Sequence, residues 1–224
     1  MTKCRFNFIM PIQTKICGLT TPGAVRAAVE GGAAFAGFVF YPRSPRHLQP
    51  ETAAMLASLV PPTIKKVAVM VNPSDMAVRE VTTLLQADYL QLHGDEIPER
   101  VKEIRKKFRG GIIKAVTVRN SDDVAAALAY REVADMLLFD ARAPETPGNL
   151  PGGNGLRFDW ELLRGRKFDL PWMLSGGLNA ENIAEAVAIT GARIVDVSSG
   201  VESAPGVKDP ALIKGFLGAA AKIP

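Results

Sequence analysis

The chain has 224 residues, of which 47% are apolar and 22% are charged, and its formal charge at pH 7 is +4. This composition excludes a disordered chain, and so small a charge excess does not by itself favour a nucleic-acid partner. The two cysteines, Cys4 and Cys17, and the two histidines, His47 and His93, exclude a disulfide framework and offer no metal-ligand spacing.

Short runs rich in β-branched and aromatic residues alternate along the chain with longer stretches of helical period. The predicted strands span residues 14–17, 35–40, 66–71, 89–93, 112–118, 136–139, 172–174 and 194–197. The predicted helices, one after each strand, span residues 23–30, 51–59, 75–85, 97–108, 121–130, 158–163, 179–189 and 210–221. Thr21, Ser74 and Asp209 are predicted N-caps because their side chains can accept hydrogen bonds from free amides of the first turn.

Strict alternation of strands and helices predicts a single (β/α)8 barrel, the TIM-barrel fold, over residues 14–224. An open doubly wound sheet is the alternative. It usually has fewer strands, and its first turn carries a Gly-x-Gly-x-x-Gly motif. Here the residues after the first strand are Gly18 and Leu19, which supply one glycine only. The barrel is therefore the favoured fold class.

Residues 1–13 precede the first strand and are predicted to form an N-terminal extension. The apolar run 6–12 resembles part of a signal peptide, but Asn7 and Pro11 interrupt it and no small-residue cleavage site follows. No apolar run approaches the ~18 residues of a membrane span. We expect a cytoplasmic protein without a membrane partner, with residues 1–9 outside the barrel and Met10 as a candidate native start.

Two glycine-rich turns follow the seventh and eighth predicted strands, and in this fold those turns are the usual phosphate site. Glycine lets backbone amides approach an anion closely, and a helix N-terminus adds a favourable dipole. Tight turns without a ligand are the structural alternative. We expect phosphate to bind at these residues: Gly176, Gly177, Ser198, Ser199 and Gly200.

Four further polar side chains lie where the barrel's active site is expected, at the carboxyl ends of the strands. Cys17 and Asp140 end the first and sixth strands, where an inert core thiol and a capping carboxylate are the structural alternatives. Asp196 lies between two valines, so it points into the barrel if the valines face the helices. Arg46 follows the second strand in a proline-stiffened loop, although a surface arginine is the simpler interpretation.

In an eight-stranded ring, strands six, seven, eight and one are consecutive, so the phosphate turns lie between Asp140 and Cys17. Arg46 lies beyond the thiol, where it suits a second anionic group. The long loop 141–155 is rich in proline and glycine and is expected to cover the substrate, with Gly153 and Gly155 as contacts. This arrangement predicts an enzyme that moves protons on a phosphorylated sugar carrying a distant carboxylate.

The segments that carry these residues resemble the phosphoribosylanthranilate isomerase family over nearly all of residues 14–221. The resemblance is specific because the motifs occur together and in order. They are residues 15–18 (Lys-Ile-Cys-Gly), 37–40, 44–46, 91–94 (Gln-Leu-His-Gly), 139–141, 152–155, 174–179 and 196–202.

The resemblance implies the aldose-to-ketose (Amadori) rearrangement of N-(5'-phosphoribosyl)anthranilate in tryptophan biosynthesis, without metal or organic cofactor. It implies that Asp140 is the general acid, which opens the furanose ring, and that Cys17 is the base, which removes the proton next to the iminium carbon. A thiolate can do this only if the pKa of Cys17 is lowered or if the thiolate forms when substrate binds.

The expected partner is a small phosphorylated molecule and not nucleic acid, and the chain is either a monomer or a homodimer. Two other functions are disfavoured. Indole-glycerol-phosphate synthase would need an N-terminal helical extension and a catalytic lysine, and only residues 1–13 precede strand one. A catalytically silent phosphate-binding barrel would need neither Cys17 nor Asp140.

Overall fold

The computed structural model describes residues 11–141, 155 and 157–224. Eight parallel strands form a closed barrel in chain order, and β8 pairs with β1 to close the ring. The strands are β1 Gln13–Cys17, β2 Phe35–Phe40, β3 Lys65–Met70, β4 Tyr89–Leu92, β5 Gly111–Val118, β6 Met136–Ala141, β7 Trp172–Leu174 and β8 Ile194–Val197. The predicted (β/α)8 barrel is confirmed.

The helices cover the outside of the barrel. The described α-helices are α1 Pro22–Glu30, α2 Pro50–Ala57, α3 Asp75–Leu85, α4 Pro98–Arg105, α5 Ser121–Ala126, α6 Ile183–Thr190 and α7 Pro210–Ala220. The predicted caps Thr21, Ser74 and Asp209 are confirmed, since each side chain accepts a first-turn amide, at 3.2, 3.2 and 2.7 Å respectively. These bonds satisfy amides that have no partner within the helix.

Side chains alternate along each strand between two layers of apolar packing. One layer lies between the strands and the helices and includes Val195 and Val197 of β8. The other fills the barrel and includes Cys17 of β1, Leu138 of β6 and Ile194 of β8. Because Asp196 alternates with the two valines, its predicted inward orientation is confirmed.

Several predicted helices differ from the structure. The helix predicted at 121–130 continues beyond Ala126 only as a 3-10 helix, Ala127–Tyr130, and the one predicted at 97–108 ends at Arg105. The segment predicted at 158–163 forms only a 3-10 helix, Trp160–Leu163.

The helix after β7 begins at Ile183 and not at 179, and residues 180–182 before it form a turn. The Asn179 side chain caps this turn by accepting the amide hydrogen of Asn182 at 3.0 Å.

A hairpin that the sequence analysis missed follows β8. After a 3-10 helix, Ser199–Val201, the strands β9 Glu202–Ala204 and β10 Val207–Lys208 pair antiparallel. Gly206 turns the hairpin with φ +82°, and a Cβ there would lie 2.7 Å from the carbonyl oxygen of Pro45. The hairpin therefore packs directly on the loop that carries Arg46.

The first described strand begins at Gln13, one residue before the predicted barrel boundary. Residues 1–10 lie outside the described residues, so the division into an extension at 1–13 and a barrel at 14–224 stays a prediction. Among the helices of the described ranges, none has the length and apolar character to cross a membrane.

Candidate active site

Cys17 is the last residue of β1, and its side chain lies inside the barrel, 8% exposed. Gly37 on β2 gives it room, because a Cβ there would lie 3.2 Å from the Cys17 Cα. Burial raises the pKa of the thiol. The ammonium groups of Lys15 and Lys208 act in the opposite direction without offsetting burial, and Asp196 raises the pKa further. Cys17 is therefore mainly a thiol at neutral pH in the free protein.

A buried ion pair lies beside Cys17 in the barrel interior. Lys15 is fully buried, and its Nζ lies 2.9 Å from Oδ1 of Asp196 on the neighbouring strand β8. Ser175 donates its hydroxyl to the other oxygen of Asp196 at 3.3 Å. Burial lowers the pKa of Lys15, but Asp196 and the Cys17 thiol outweigh it, so the pKa lies above its usual value. Lys15 is thus a charged ammonium ion at all physiological pH values.

A second charged network joins the hairpin to the end of β1. Arg46 donates from Nε and Nη2 to the two carboxylate oxygens of Glu202, each at 2.7 Å. Glu202 also accepts from Lys208, whose Nζ donates to the carbonyl oxygen of Ser198 at 3.1 Å. The Ser198 hydroxyl donates to the carbonyl oxygen of Cys17 at 3.2 Å. Arg46 is therefore held rigidly, only 4% exposed, and not on the open surface.

In the hairpin network, the pKa values of Glu202 and Lys208 both lie below their usual values. Burial raises the pKa of Glu202, but Arg46 and Lys208 outweigh it, so the carboxylate stays ionised. Burial lowers the pKa of Lys208 despite its bond to Glu202. The hairpin network thus places two cations and one carboxylate, with an excess of positive charge, close to the Cys17 backbone.

Asp140 lies near the carboxyl end of β6 and points into the barrel, as predicted from its place after an apolar run. Its Oδ1 accepts the amide hydrogen of Ala141 at 2.9 Å. Its Oδ2 lies 3.2 Å from Nε2 of His93, although the two are not aligned for a hydrogen bond. The other ring nitrogen, Nδ1, lies 2.7 Å from the Gln91 amide nitrogen. The acid is therefore fixed by its backbone and faces one imidazole.

The loop that carries His93 is held by a buried ion pair outside the barrel interior. Glu96 accepts the amide hydrogens of Asn72 and Gly94, at 2.7 and 3.0 Å. Lys114 of β5 bonds to Glu96 at 2.8 Å and donates to the Gly94 carbonyl oxygen at 2.7 Å. These bonds leave His93 little freedom to move away from Asp140.

The loops after β7 and β8 meet as predicted. A Cβ at Gly200 would lie 1.9 Å from the carbonyl oxygen of Leu178, so only glycine permits this approach. Gly176 has φ +90°, and a Cβ there would lie 3.2 Å from Oδ1 of Asp140, which brings the seventh loop against the acid. Gly155 lies beside Ser199, whose hydroxyl oxygen would be 3.5 Å from a Cβ added at this glycine.

Part of the basis for the phosphate prediction is wrong. We expected the seventh loop to enter a helix at 179, but α6 begins at Ile183, so the helix dipole acts further from Gly177. The amides of Gly177 (φ +63°) and of Ser199 and Gly200, at the start of the 3-10 helix, remain as donors. Gly153 lies outside the described residues. Phosphate binding at these loops stays a prediction.

Four charged or polar residues of the site had no role in the sequence analysis: Lys15, His93, Glu202 and Lys208. Alternation along the strands could have found the first two, because Lys15 shares a face with Cys17, and His93 with the inward-facing Gln91. The other two depend on a hairpin that packs on a distant loop. Within the described ranges, no three His, Cys, Asp or Glu side chains are grouped to hold a metal ion.

Replacing Gly200 with alanine tests the junction of the two loops. The added methyl group must push away the Leu178 backbone, which should cost about 1–3 kcal/mol of unfolding free energy. It should also raise KM about tenfold or more, because the loss of a single charge-assisted hydrogen bond is worth about 1.5–3 kcal/mol. Thermal unfolding and steady-state kinetics measure both.

Gly218→Ala is the matched control for that substitution. A Cβ at this α7 position meets nothing within 4 Å, and alanine favours a helix by about 1 kcal/mol over glycine. It should leave KM unchanged and raise the melting temperature slightly. Equal KM values in the two variants would contradict the proposed phosphate loops.

Known proteins resemble this chain in sequence and in structure. The family model for N-(5'phosphoribosyl)anthranilate (PRA) isomerase matches residues 14–219. The N-(5'-phosphoribosyl)anthranilate isomerase of Rhodospirillum centenum is 54% identical over 214 residues, which are 96% of this chain and 100% of the relative. That of Parvibaculum lavamentivorans is 53% identical over 212 residues, which are 94% and 99% of the two chains.

Solved structures agree with this result. The phosphoribosyl anthranilate isomerase of Thermotoga maritima superimposes with a TM-score of 0.83 at 39% identity, covering 93% of this chain and 98% of that one. A structure of such an isomerase in complex with reduced 1-(o-carboxyphenylamino)-1-deoxyribulose 5-phosphate has a TM-score of 0.79 at 38% identity, with the same coverage. The chain therefore belongs to the N-(5'-phosphoribosyl)anthranilate isomerase family, and its function is this isomerisation step of tryptophan biosynthesis.

Proposed function

We propose that the isomerisation runs by general acid–base catalysis with Asp140 as the acid and Cys17 as the base. One observation carries this proposal. Both side chains point into the barrel at the carboxyl ends of their strands, on either side of the two glycine-rich loops after β7 and β8. A substrate whose phosphate binds at those loops has an acid on one side and a thiol on the other.

Asp140 acts first, by giving its proton to the ring oxygen of the ribose. The bond between that oxygen and C1 then breaks, and the nitrogen lone pair forms the C1=N iminium ion. His93 faces the carboxylate that remains, at 3.2 Å. The amide of Ala141 donates to the same carboxylate, which stabilises its negative charge.

Cys17 acts second, as a thiolate that takes the proton from C2. The electrons of the C2–H bond form the C1=C2 double bond, and the iminium π electrons return to nitrogen. The resulting enolamine takes a proton at C1 and loses one from its C2 hydroxyl, which gives the ketone. The raised pKa of the free thiol favours the second of the two expected alternatives, in which the thiol releases its proton to solvent and becomes a thiolate once the cationic iminium lies beside it.

The substrate's two anionic ends need separate positions. We assign the phosphate to Gly176, Gly177, Ser198, Ser199 and Gly200, with Gly155 at the edge, and the anthranilate carboxylate to Arg46. Asp196, although paired with Lys15, faces the barrel interior as Cys17 does and is proposed to contact the ribose. The family structure with a bound reduced product supports a ligand that carries both anionic groups. Gly153 stays a predicted contact.

A turnover assay tests whether the purified chain converts the substrate. The purified chain should consume N-(5'-phosphoribosyl)anthranilate, followed by the loss of the substrate's fluorescence, without added metal or organic cofactor. An unchanged rate after treatment with a chelator supports acid–base catalysis. A chain that binds this substrate but does not convert it would be the silent phosphate-binding barrel instead.

Arg46→Ala should raise KM or lower kcat/KM by about 10- to 150-fold, since a hydrogen bond to a charged group is worth about 1.5–3 kcal/mol. The neighbouring Arg43→Ala is the control, because Arg43 is exposed in the same loop. An analogue without the anthranilate carboxylate should be converted equally by the wild type and the Arg46 variant. If the variant still discriminates fully between substrate and analogue, another group binds the carboxylate.

A cytoplasmic location and the absence of a nucleic-acid partner stay predictions. The oligomeric state also stays open between monomer and homodimer. A dimeric relative from Thermotoga maritima, whose monomeric forms were solved, covers 93% of this chain at 37% identity and supports testing for a dimer first. Light scattering of the purified chain distinguishes the two states.

A further inference from the structure

Lys15, which pairs with Asp196 in the barrel interior, has no role in the reaction proposed above. Lys15 lies in the strand that ends with Cys17, two residues before it and on the same inward face. Gly37 of β2 makes the space for it: a Cβ there would lie 3.3 Å from the Lys15 Nζ and 3.2 Å from the Cys17 Cα. The ammonium group is therefore held in the interior directly next to the residue that carries the thiol.

Stability alone does not explain this pair. Removing two charges from water costs several kcal/mol per ion, and apolar residues of similar volume often serve a core equally well or better. Apart from Gln91 and the proposed acid Asp140, apolar residues such as Val67, Ile113 and Leu138 pack the barrel interior in that way. The charged Lys15–Asp196 pair lies next to the end of β1 that carries Cys17, and this position indicates a role in the chemistry.

Charged groups face Cys17 from several elements. Lys15 lies on β1 itself, Asp196 on β8, and Lys208 on β10, while Arg46 and Glu202 pair with each other on the hairpin side. The attraction between the thiolate and Lys15 exceeds the repulsion from Asp196 and also exceeds the attraction of Lys208. Lys15 is thus the cation with the largest effect on the charge of the sulfur.

We propose that Lys15, held in place by Asp196, is a positioning residue that stabilises the thiolate form of Cys17 electrostatically. The inference rests on the proposed function in taking Cys17 as the base. Asp196 anchors the ammonium group, and Ser175 in turn fixes Asp196 through its hydroxyl. Burial opposes ionisation of the Cys17 thiol. The Lys15 ammonium group favours the thiolate and so partly offsets burial, even before the cationic iminium has formed.

The test is the pH dependence of Cys17 alkylation by iodoacetamide in the intact chain, followed by peptide mass spectrometry. Only the thiolate reacts at an appreciable rate, so the midpoint reports the thiol's ionisation without reference to catalysis. Lys15→Met should move the midpoint up by about one pH unit or more, the size expected from one adjacent charge. Asp196→Asn should move it down.

Lys15→Met leaves Asp196 buried without its cation and can unfold the chain, so the double variant Lys15→Met/Asp196→Asn is measured as well. Its midpoint should still lie above that of the wild type, because Lys15 acts on the thiol more strongly than Asp196 does. The control is Lys114→Met/Glu96→Gln, which removes another buried pair, on β5 and the loop after β4 and so across the ring of strands from β1. This control should leave the midpoint unchanged.

The proposal would be overturned if the alkylation midpoint of the double variant equalled that of the wild type. It would also be overturned if the Lys114→Met/Glu96→Gln control shifted the midpoint as much as the double variant does. The pH profile of kcat, which reports ionisation in the substrate complex where the thiolate forms, separates this inference from the proposed function. If Cys17 is the base, its rising limb moves together with the alkylation midpoint. If the alkylation midpoint moves and the kinetic limb does not, the electrostatic role of Lys15 stands and the assignment of the base is wrong.

Discussion

Cys17→Ala should lower kcat by about 10²- to 10⁴-fold, the usual range for removing a general base. The thiol is the one group on β1 that can take the C2 proton, since its neighbour Lys15 is a protonated ammonium ion bound to Asp196. Loss of a single small side chain at a site 8% exposed should leave the fold intact. Steady-state kinetics and thermal unfolding measure the two quantities separately.

Cys4→Ala is the matched control, because it makes the same change in the predicted N-terminal extension and should leave kcat unchanged. A reduced product analogue should also shield Cys17 from alkylation and leave Cys4 reactive. Near-normal turnover by Cys17→Ala would mean that the base is misassigned. Asp196 would then be the next carboxylate to test, because it faces the same interior.

The barrel and the orientation of its side chains followed from local patterns. Short runs of β-branched and aromatic residues, separated by stretches of helical period, are signals that short stretches of sequence carry by themselves. The two valines around Asp196 placed that carboxylate inside the barrel, and the ring order placed the two glycine-rich loops between Asp140 and Cys17. None of these inferences required knowing which distant residues are in contact.

The charge networks could not be predicted in the same way, because their partners are far apart in the chain. Lys15 and Asp196 are separated by 181 positions, and Arg46 and Glu202 by 156. A lysine in a strand is most often solvated at a surface, and only a closed barrel makes this one an interior residue. The Pro205–Gly206 turn signal was available, but it does not tell which loop the hairpin covers.

The start of α6 shows a local signal that was misread. Asn179 is a favourable N-cap by residue type, which is why the helix was predicted to begin there. Asn182 is equally favourable three residues later, and its side chain donates to the Gly177 carbonyl oxygen at 2.9 Å. Asn182 thus holds the backbone of the seventh loop in place. The two asparagines therefore fix the loop of the proposed phosphate site, and α6 begins only after them.

Asp140→Asn should also lower kcat by about 10²- to 10⁴-fold, because asparagine keeps the shape of the side chain and has no proton to give to the ring oxygen. Its carbonyl oxygen can still accept the Ala141 amide hydrogen, which lies 2.9 Å away in the native protein. The variant should therefore fold normally. Asp122→Asn, the same change at an exposed position in α5, is the control and should retain full activity.

Substrate deuterated at ribose C2 distinguishes the acid from the base in these two variants. Without Asp140, ring opening limits the rate, so the isotope effect on kcat should fall towards one. Without Cys17, removal of the C2 proton limits the rate, so the isotope effect should be larger than that of Asp140→Asn. The opposite order would exchange the two roles. It would make the carboxylate that faces His93 at 3.2 Å the base and leave the thiol, whose pKa burial raises, as the proton donor.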